Sequence, residues 1–255
     1  MLELDEIVLV NDQNAPNYLI PETEYEHHHP EVIYYTQYFL DRAQKNGSAF
    51  TLIDAALKQH KGIQSAEKMA GVWYEFSKFV PAFIAKAVSV TTDPEHQYHL
   101  IQIAYDELGA QNKNLIHSKL FLDALDKACI KPRVTASLFA FKQMFTSLNE
   151  ALDTATGPSG IIGLLLSFEI IAENNIETLF KGLGIDSERE EALSASPFFK
   201  IHRVNEIEHI RHSVANFLRF SKSSQEIAEA EELFDVGIMF WHQFWNNMAE
   251  LVAHD

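Results

Sequence analysis

The stretch "GIIGLLLSFEIIA", residues 160–172, is the longest apolar run in the chain, and it carries a carboxylate at Glu169. A helix that spans a bilayer needs roughly 20 apolar residues, so this run is too short. It reads as a helix enclosed by other helices. Working outward from it, Gly157-Pro158 separates it from the preceding helix, and "ENNIETLFKGL" continues it to a stop at "GLGID". The remaining sequence is dominated by 3.6-residue periodicity. Helical stripes are predicted in "EVIYYTQYFLDRAQK" after Pro30, in "SAFTLIDAALKQH", and in "SAEKMAGVWYEFSKFVPAFIAKAVSV", where Pro81 is expected to kink the helix. "DPEHQYHLIQIAYDEL" opens with an Asp/Pro/Glu start signature. It is followed by "LIHSKLFLDALDKA" and "RVTASLFAFKQMFTSLNEALDTA", then by one helix from Ser196-Pro197 to about Phe220, and by a last helix from Ser224 onward. Only "EIVLV" near the start has strand character. The prediction is therefore a single all-α domain, a bundle of eight or nine helices over residues 30–255, preceded by an irregular segment 1–29.

Composition narrows the function classes. With 36 acidic against 20 basic side chains the formal charge is -16. Nucleic acids and anionic membrane surfaces are polyanions that need Lys/Arg clusters, so neither is an expected partner. A single cysteine, Cys129, rules out an intramolecular disulfide and suits a reducing cytoplasm. The first twenty residues lack the basic start and apolar run of a signal peptide. His27, His28 and His29 read as a solvated loop.

Three segments can carry chemistry. In "FFKIHRVNEIEHIRH", residues 198–212, a continuous helix would put Glu206 about 40° and His209 about 340° around from His202, one narrow face. Glu208 falls outside that face and His212 lies on its margin. Two neutral imidazoles and a carboxylate suit iron, manganese or zinc. The same pattern, read alone, fits a solvated face with satisfied histidines equally well. Glu169 is the second feature: apolar neighbours on both sides predict burial, and an uncompensated buried carboxylate costs several kcal/mol. A cation, an ion pair or protonation would each offset that cost, and Glu173 is a reserve position one turn on. The third is "AYDELGAQNKNLIHSKLF", residues 104–121. On one unbroken helix Glu107 and His117 would diverge by about 80°. A break at Gly109 and "QNKN" would let the last turn of one helix and the first turn of the next converge, unless the segment is merely a capping loop. Glu107, His117, Glu169, His202, Glu206 and His209 together make three carboxylates and three imidazoles from at least three helices. That set is the arithmetic of a dinuclear site in a bundle interior, for which iron fits best.

On these residues the chain resembles the heme-oxygenase-like superfamily, and within it the heme-oxygenase-like diiron oxidases, often labelled iron-containing redox enzymes. The likeness runs from roughly residue 65 to the carboxyl terminus. The family's Glu-x-Gly element followed by His and Leu-Phe is matched by "ELG" and "HSKLF" at 107–121, its central Glu by Glu169, and its aromatic pair with His, acid and His by "FFKIH" and "NEIEH". Where the family usually has Asp, this chain has Glu206, one methylene longer. The resemblance implies a non-heme diiron oxidase or oxygenase with two Fe ions, Mn being an alternative in one position, no heme, dioxygen and a small-molecule substrate, and a homodimer. Asp106 and His212 are expected beside the ligands. Trp73, Phe168, Phe198 and Phe199 are expected to line the substrate pocket, and Tyr34, Tyr35, Tyr38 and Tyr105 to serve as core packing or redox neighbours. Two alternatives stay open. One is a non-catalytic interaction protein that uses an exposed surface in "FWHQFWNNM", residues 240–248. The other is a metal-independent enzyme like thiaminase II or pyrroloquinoline quinone synthase, although Cys129 does not match the thiaminase nucleophile.

Overall fold

In a computed structural model, the structure describes residues 29–45, 47–133, 138–202 and 206–254, with the side chains of residues 206–209 outside that description. The predicted irregular segment and the strand-like "EIVLV" fall among residues 1–28 and lie outside the described residues, as does the start of the helix predicted from Arg133.

Twelve helices make up the described chain: α1 (Pro30–Gln44), α2 (Thr51–His60), α3 (Ile63–Val90), α4 (Pro94–Glu107), α5 (His117–Lys127), α6 (Leu138–Thr154), α7 (Pro158–Ile170), α8 (Ala172–Leu183), α9 (Ser187–Ala195), α10 (Pro197–Ile201), α11 (Glu206–Phe220) and α12 (Ser224–Ala253). The all-α expectation holds, and the count exceeds the predicted eight or nine for three local reasons. The apolar run is buried all round in α7, whereas α8 is amphipathic with Glu173 and Asn174 exposed, so the chain bends by 42° at Ile171 to bury different faces. "SEREEALSA" is a further helix, between the predicted ones, because Asp186 caps it by accepting from the Arg189 N–H and because Glu188 and Glu190 sit at its positive end. The segment expected to run unbroken to Phe220 is two elements, with His202 as the C-cap of α10. The His202 side chain takes the Phe198 carbonyl at 2.7 Å, a local bond that competes with helical continuation.

Helix α12 is the axis of the bundle. It lies against α7, α2, α6 and α3. Helices α7 and α12 run side by side in the same direction, with small residues at their contact: a Cβ on Gly163 would stand 2.0 Å from the Ala230 carbonyl oxygen, and one on Gly237 would fall 1.8 Å from the Ser167 hydroxyl. Their backbones approach because no side chain stands between them. Around this seam Trp73, Phe76, Phe168, Phe240, Trp241, Phe244 and Trp245 form one contiguous aromatic core. The expected docking surface at residues 240–248 is thereby corrected, since Phe240, Trp241, Phe244, Trp245 and Met248 are all buried. They face inward because they recur at helical spacing on the side of α12 turned to α3 and α7. Helix α1 is tied to α12 by Arg42, whose guanidinium forks onto Asp235 at 2.8 and 2.7 Å and reaches Glu231 at 3.2 Å, and by the Tyr38 hydroxyl, which donates to Glu231 at 2.6 Å. Helix α3 continues through Pro81 without interruption.

On another flank α3 packs against α4 and α5, and α9 and α10 pack on α5, which together form the platform of the candidate site. Helix α4 starts at Pro94 with Asp93 accepting from the His96 N–H at 2.8 Å, as its start signature predicts. His96 is 2% exposed and packs at a tilt against Phe220, and neither ring nitrogen meets a partner among the described residues. Burial pushes its pKa down to about 4, against the pull of Asp93 and with the help of His99. The sign follows: the folded value lies below the ordinary 6.5, so the unfolded chain takes up the proton first as pH falls. Stability held above pH 6.5 is therefore lost progressively toward pH 4, by roughly 3 kcal/mol at about 1.4 kcal/mol per pH unit. Urea melts of wild type and His96→Leu at pH 7 and pH 4.5 measure this, and the substituted protein should lose less stability between the two. Equal losses would mean that His96 does not carry the effect.

Candidate metal centre

The α4–α5 connection is built by backbone geometry. Helix α4 ends at Glu107, then Gly109 and Ala110 both adopt positive φ, 82° and 50°. A Cβ on Gly109 would also stand 2.5 Å from the Asn112 carbonyl and the Ile116 amide, so the tight reversal requires glycine. The reversal starts α5 at His117 and brings its Nδ1 to 3.1 Å from Glu107 Oε2. The two side chains are 20% and 23% exposed. Burial pushes the His117 imidazole down, but the close approach and charge of Glu107, with the charge of Asp106 behind it, outweigh that and hold it above its ordinary value.

The 3.1 Å separation is a hydrogen-bond length, yet Nδ1 is buried and meets no acceptor at a hydrogen-bonding angle among the described residues. Donor atoms on adjacent ligand positions of an octahedral ion, with bonds of about 2.1 Å at right angles, stand about 3 Å apart. The pair thus fits a cation, which would take the place of the imidazole proton.

His202 joins them from α10. Its ring centroid is 4.9 Å from that of His117 and 4.4 Å from that of Phe198. A carbonyl oxygen only accepts, so the 2.7 Å contact with Phe198 O makes Nδ1 of His202 a protonated, donating nitrogen and fixes the ring's orientation. Below this pair Phe121 packs on Phe198, and Phe199 on Phe180. The structure therefore brings Glu107, His117 and His202 to one end of the platform.

The other predicted residues are distributed as follows. Glu169 is half-buried in the last turn of α7, and Glu173 is exposed in the first turn of α8, beyond the bend. Glu206 and His209 belong to the first turn of α11, and their side chains lie outside the described residues. The single helical face proposed for His202, Glu206 and His209 is corrected, because His202 caps a separate short helix. His212 is half-buried on α11 and Asp106 is exposed on α4. Among the described residues no group of three His, Cys, Asp or Glu side chains converges closely enough to hold an ion. Trp73 and Phe168 belong to the central aromatic core, whereas Phe198 and Phe199 belong to the cluster under His202, so the four do not line one cavity. A groove of about 570 Å³ opens instead between α6 and α12, beside Met144, Leu148, Val236 and Met239. The Phe198 carbonyl as the group that orients His202 was missed by sequence reasoning, since a backbone atom leaves no residue-type signal.

Two crystal structures of a CADD-like protein of unknown function from Nostoc punctiforme PCC 73102 superpose with TM-scores of 0.67 and 0.69, at 15% and 16% identity. The matches cover 87% and 88% of this chain and 96% and 99% of theirs. The fold is the heme-oxygenase-like helical fold. The chain belongs to the iron-containing redox enzyme family, whose model matches residues 70–237. No curated protein matches the chain. Among the described residues no single helix is long and apolar enough to cross a membrane; α7 and α8 reach that length and apolarity only as a bent pair, and most of α7 is buried in the bundle.

Proposed function

We propose that this protein is a non-heme diiron oxidase or oxygenase that activates dioxygen to oxidise a small organic substrate. The observation that carries the reading is the half-buried Glu107–His117 pair, 3.1 Å apart without an aligned hydrogen bond, in a chain of the iron-containing redox enzyme family. Glu107, His117, Glu169, His202, Glu206 and His209 would hold the two ions, with manganese an alternative at one of them. When bound, the irons supply the electrons that reduce dioxygen. The protein's own groups do the rest. Glu107 and Asp106 place negative charge where a cation would sit. The Phe198 carbonyl holds a proton on His202 Nδ1 and so orients the ring. Phe121, Phe198 and Phe199, all nearly fully buried, keep water from the far side of the imidazoles.

Anaerobic reconstitution with Fe(II), followed by metal analysis and anomalous diffraction at the iron edge, tests the assignment. The expected result is close to two irons per chain beside His117 and His202, with oxygen uptake on exposure to air. Protein that binds no iron tightly, or binds it away from Glu107 and His117, would overturn it.

A further inference from the structure

We propose that α4 is a self-association surface, through which two copies of this chain pair antiparallel. Helix α4 turns His96, His99 and Leu100 into the bundle. At about 100° per residue, Tyr98, Ile101, Tyr105 and the C-cap residue Leu108 form a second stripe, centred nearly opposite the first. That stripe lies on the solvent side: Tyr98 is 39%, Ile101 50% and Leu108 49% exposed, and Tyr105 is half-buried. A helix that packs by one face normally carries polar residues on the other. An exposed apolar row with the spacing of a helix–helix seam instead marks a surface that another molecule covers.

Charge selects the occupant. On α4 the stripe is flanked by Gln97, Gln102 and Ala104, none of them charged. Glu95 and Asp106, the nearest acidic residues of the helix, lie about 100° and 120° around from its centre, and Glu95 takes the Arg219 guanidinium at 2.7 Å. Two copies of a chain with a formal charge of -16 repel each other, and a face without carboxylates is where they approach at least cost. A strongly basic or acidic partner would find no counter-charge there. Pairing about a two-fold axis near residue 103 sets Tyr98 against the partner's Leu108 and Ile101 against the partner's Tyr105, an aromatic ring on a branched aliphatic chain at every contact. Parallel pairing would instead bring together two helix C-termini, each negative and each carrying Asp106 and Glu107. The stripe is about 15 Å long, ten steps of about 1.5 Å, and supplies less than the roughly 800 Å² per partner of a standard interface. The dimer is accordingly weak, with a Kd on the order of 1–100 µM. Glu107 lies about 140° around from the stripe and faces His117, so the dimer and the candidate metal centre form independently.

Sedimentation velocity of the full chain, at concentrations spanning that range of Kd, should show a monomer–dimer equilibrium. Ile101→Glu puts two like charges into the seam and should raise the Kd by about 100-fold or more. Because Ile101 is half exposed, its circular dichroism should match wild type. Met239→Glu, at a 55% exposed position on α12, should leave the equilibrium unchanged. Disulfide trapping reads the register in a Cys129→Ser background. Ile101→Cys and Tyr105→Cys chains should crosslink when mixed, and far less when each is oxidised alone. A full chain that stays monomeric throughout, whether its own residues 1–28 cover the stripe or nothing does, would overturn the proposal. So would a dimer that Ile101→Glu leaves intact or that Met239→Glu weakens equally, and crosslinking of each variant by itself would overturn the antiparallel register. Iron titration of Ile101→Glu should match wild type, so the outcome for the metal centre is read separately from the dimer.

Discussion

Exchanging His117 for alanine should lower iron affinity by about 100-fold or more, since removal of an outer partner of a ligand already costs about 10–100-fold. Glu107→Gln, which keeps the shape and removes the charge, should lose a comparable amount. The argument is electrostatic as well as geometric. Glu107 and His117 are both mostly buried and 3.1 Å apart, and Glu107 is the group that offsets the burial of the imidazole. Without the carboxylate, a cation at this position would have to be desolvated against a neutral amide. Anaerobic titration with Fe(II), followed by calorimetry and metal analysis, gives the affinity, and far-ultraviolet circular dichroism checks that the helices persist. Wild-type affinity in His117→Ala would remove His117 from the site.

The largest effect on folding is expected from Gly163→Leu. The contact is between backbones: even a Cβ at Gly163 would stand 2.0 Å from the Ala230 carbonyl oxygen and 2.6 Å from its carbon, and neither can rotate away. Alanine there should destabilise by about 1–2 kcal/mol, since overpacking a backbone contact costs about 3 kcal/mol, the upper end of the usual range, and the gain in helix propensity over glycine, about 1 kcal/mol, recovers only part. Leucine must separate α7 from α12 along the bundle axis and should cost more than about 4 kcal/mol. Thermal melts of both proteins give the ranking, with a loss of roughly 2–4 °C expected per kcal/mol for a domain of this size. A leucine variant as stable as wild type would mean that the α7–α12 seam is not the close backbone contact described.

The two experiments probe parts of the protein that were unequally legible in its sequence. The burial of α7 could be read from residues 160–172 directly, because a run apolar on every face has no stable place except inside a bundle. The convergence of Glu107 and His117 was also accessible, through the break at Gly109. What could not be read there was the left-handed conformation at Ala110, which helps reverse the chain and is unusual for a residue with a Cβ.

Elsewhere local pattern misled. Residues 198–212 have unbroken helical periodicity, yet the His202 ring bonds the Phe198 carbonyl and ends α10. Periodicity describes which side of a helix is apolar and says nothing of a side chain that competes for the helix's own carbonyls. The aromatic residues 240–248 looked like a surface for partners because their number suggested a patch. Their inward orientation depends on α3 and α7 being there to receive them. Composition and spacing thus determined the helical class and the types of donor available, since these follow from each residue's own chemistry. The tertiary structure alone decided that His202 meets His117 and where the tryptophans gather, because those depend on contacts between segments distant in the chain, and no short-range pattern encodes a distance across a core.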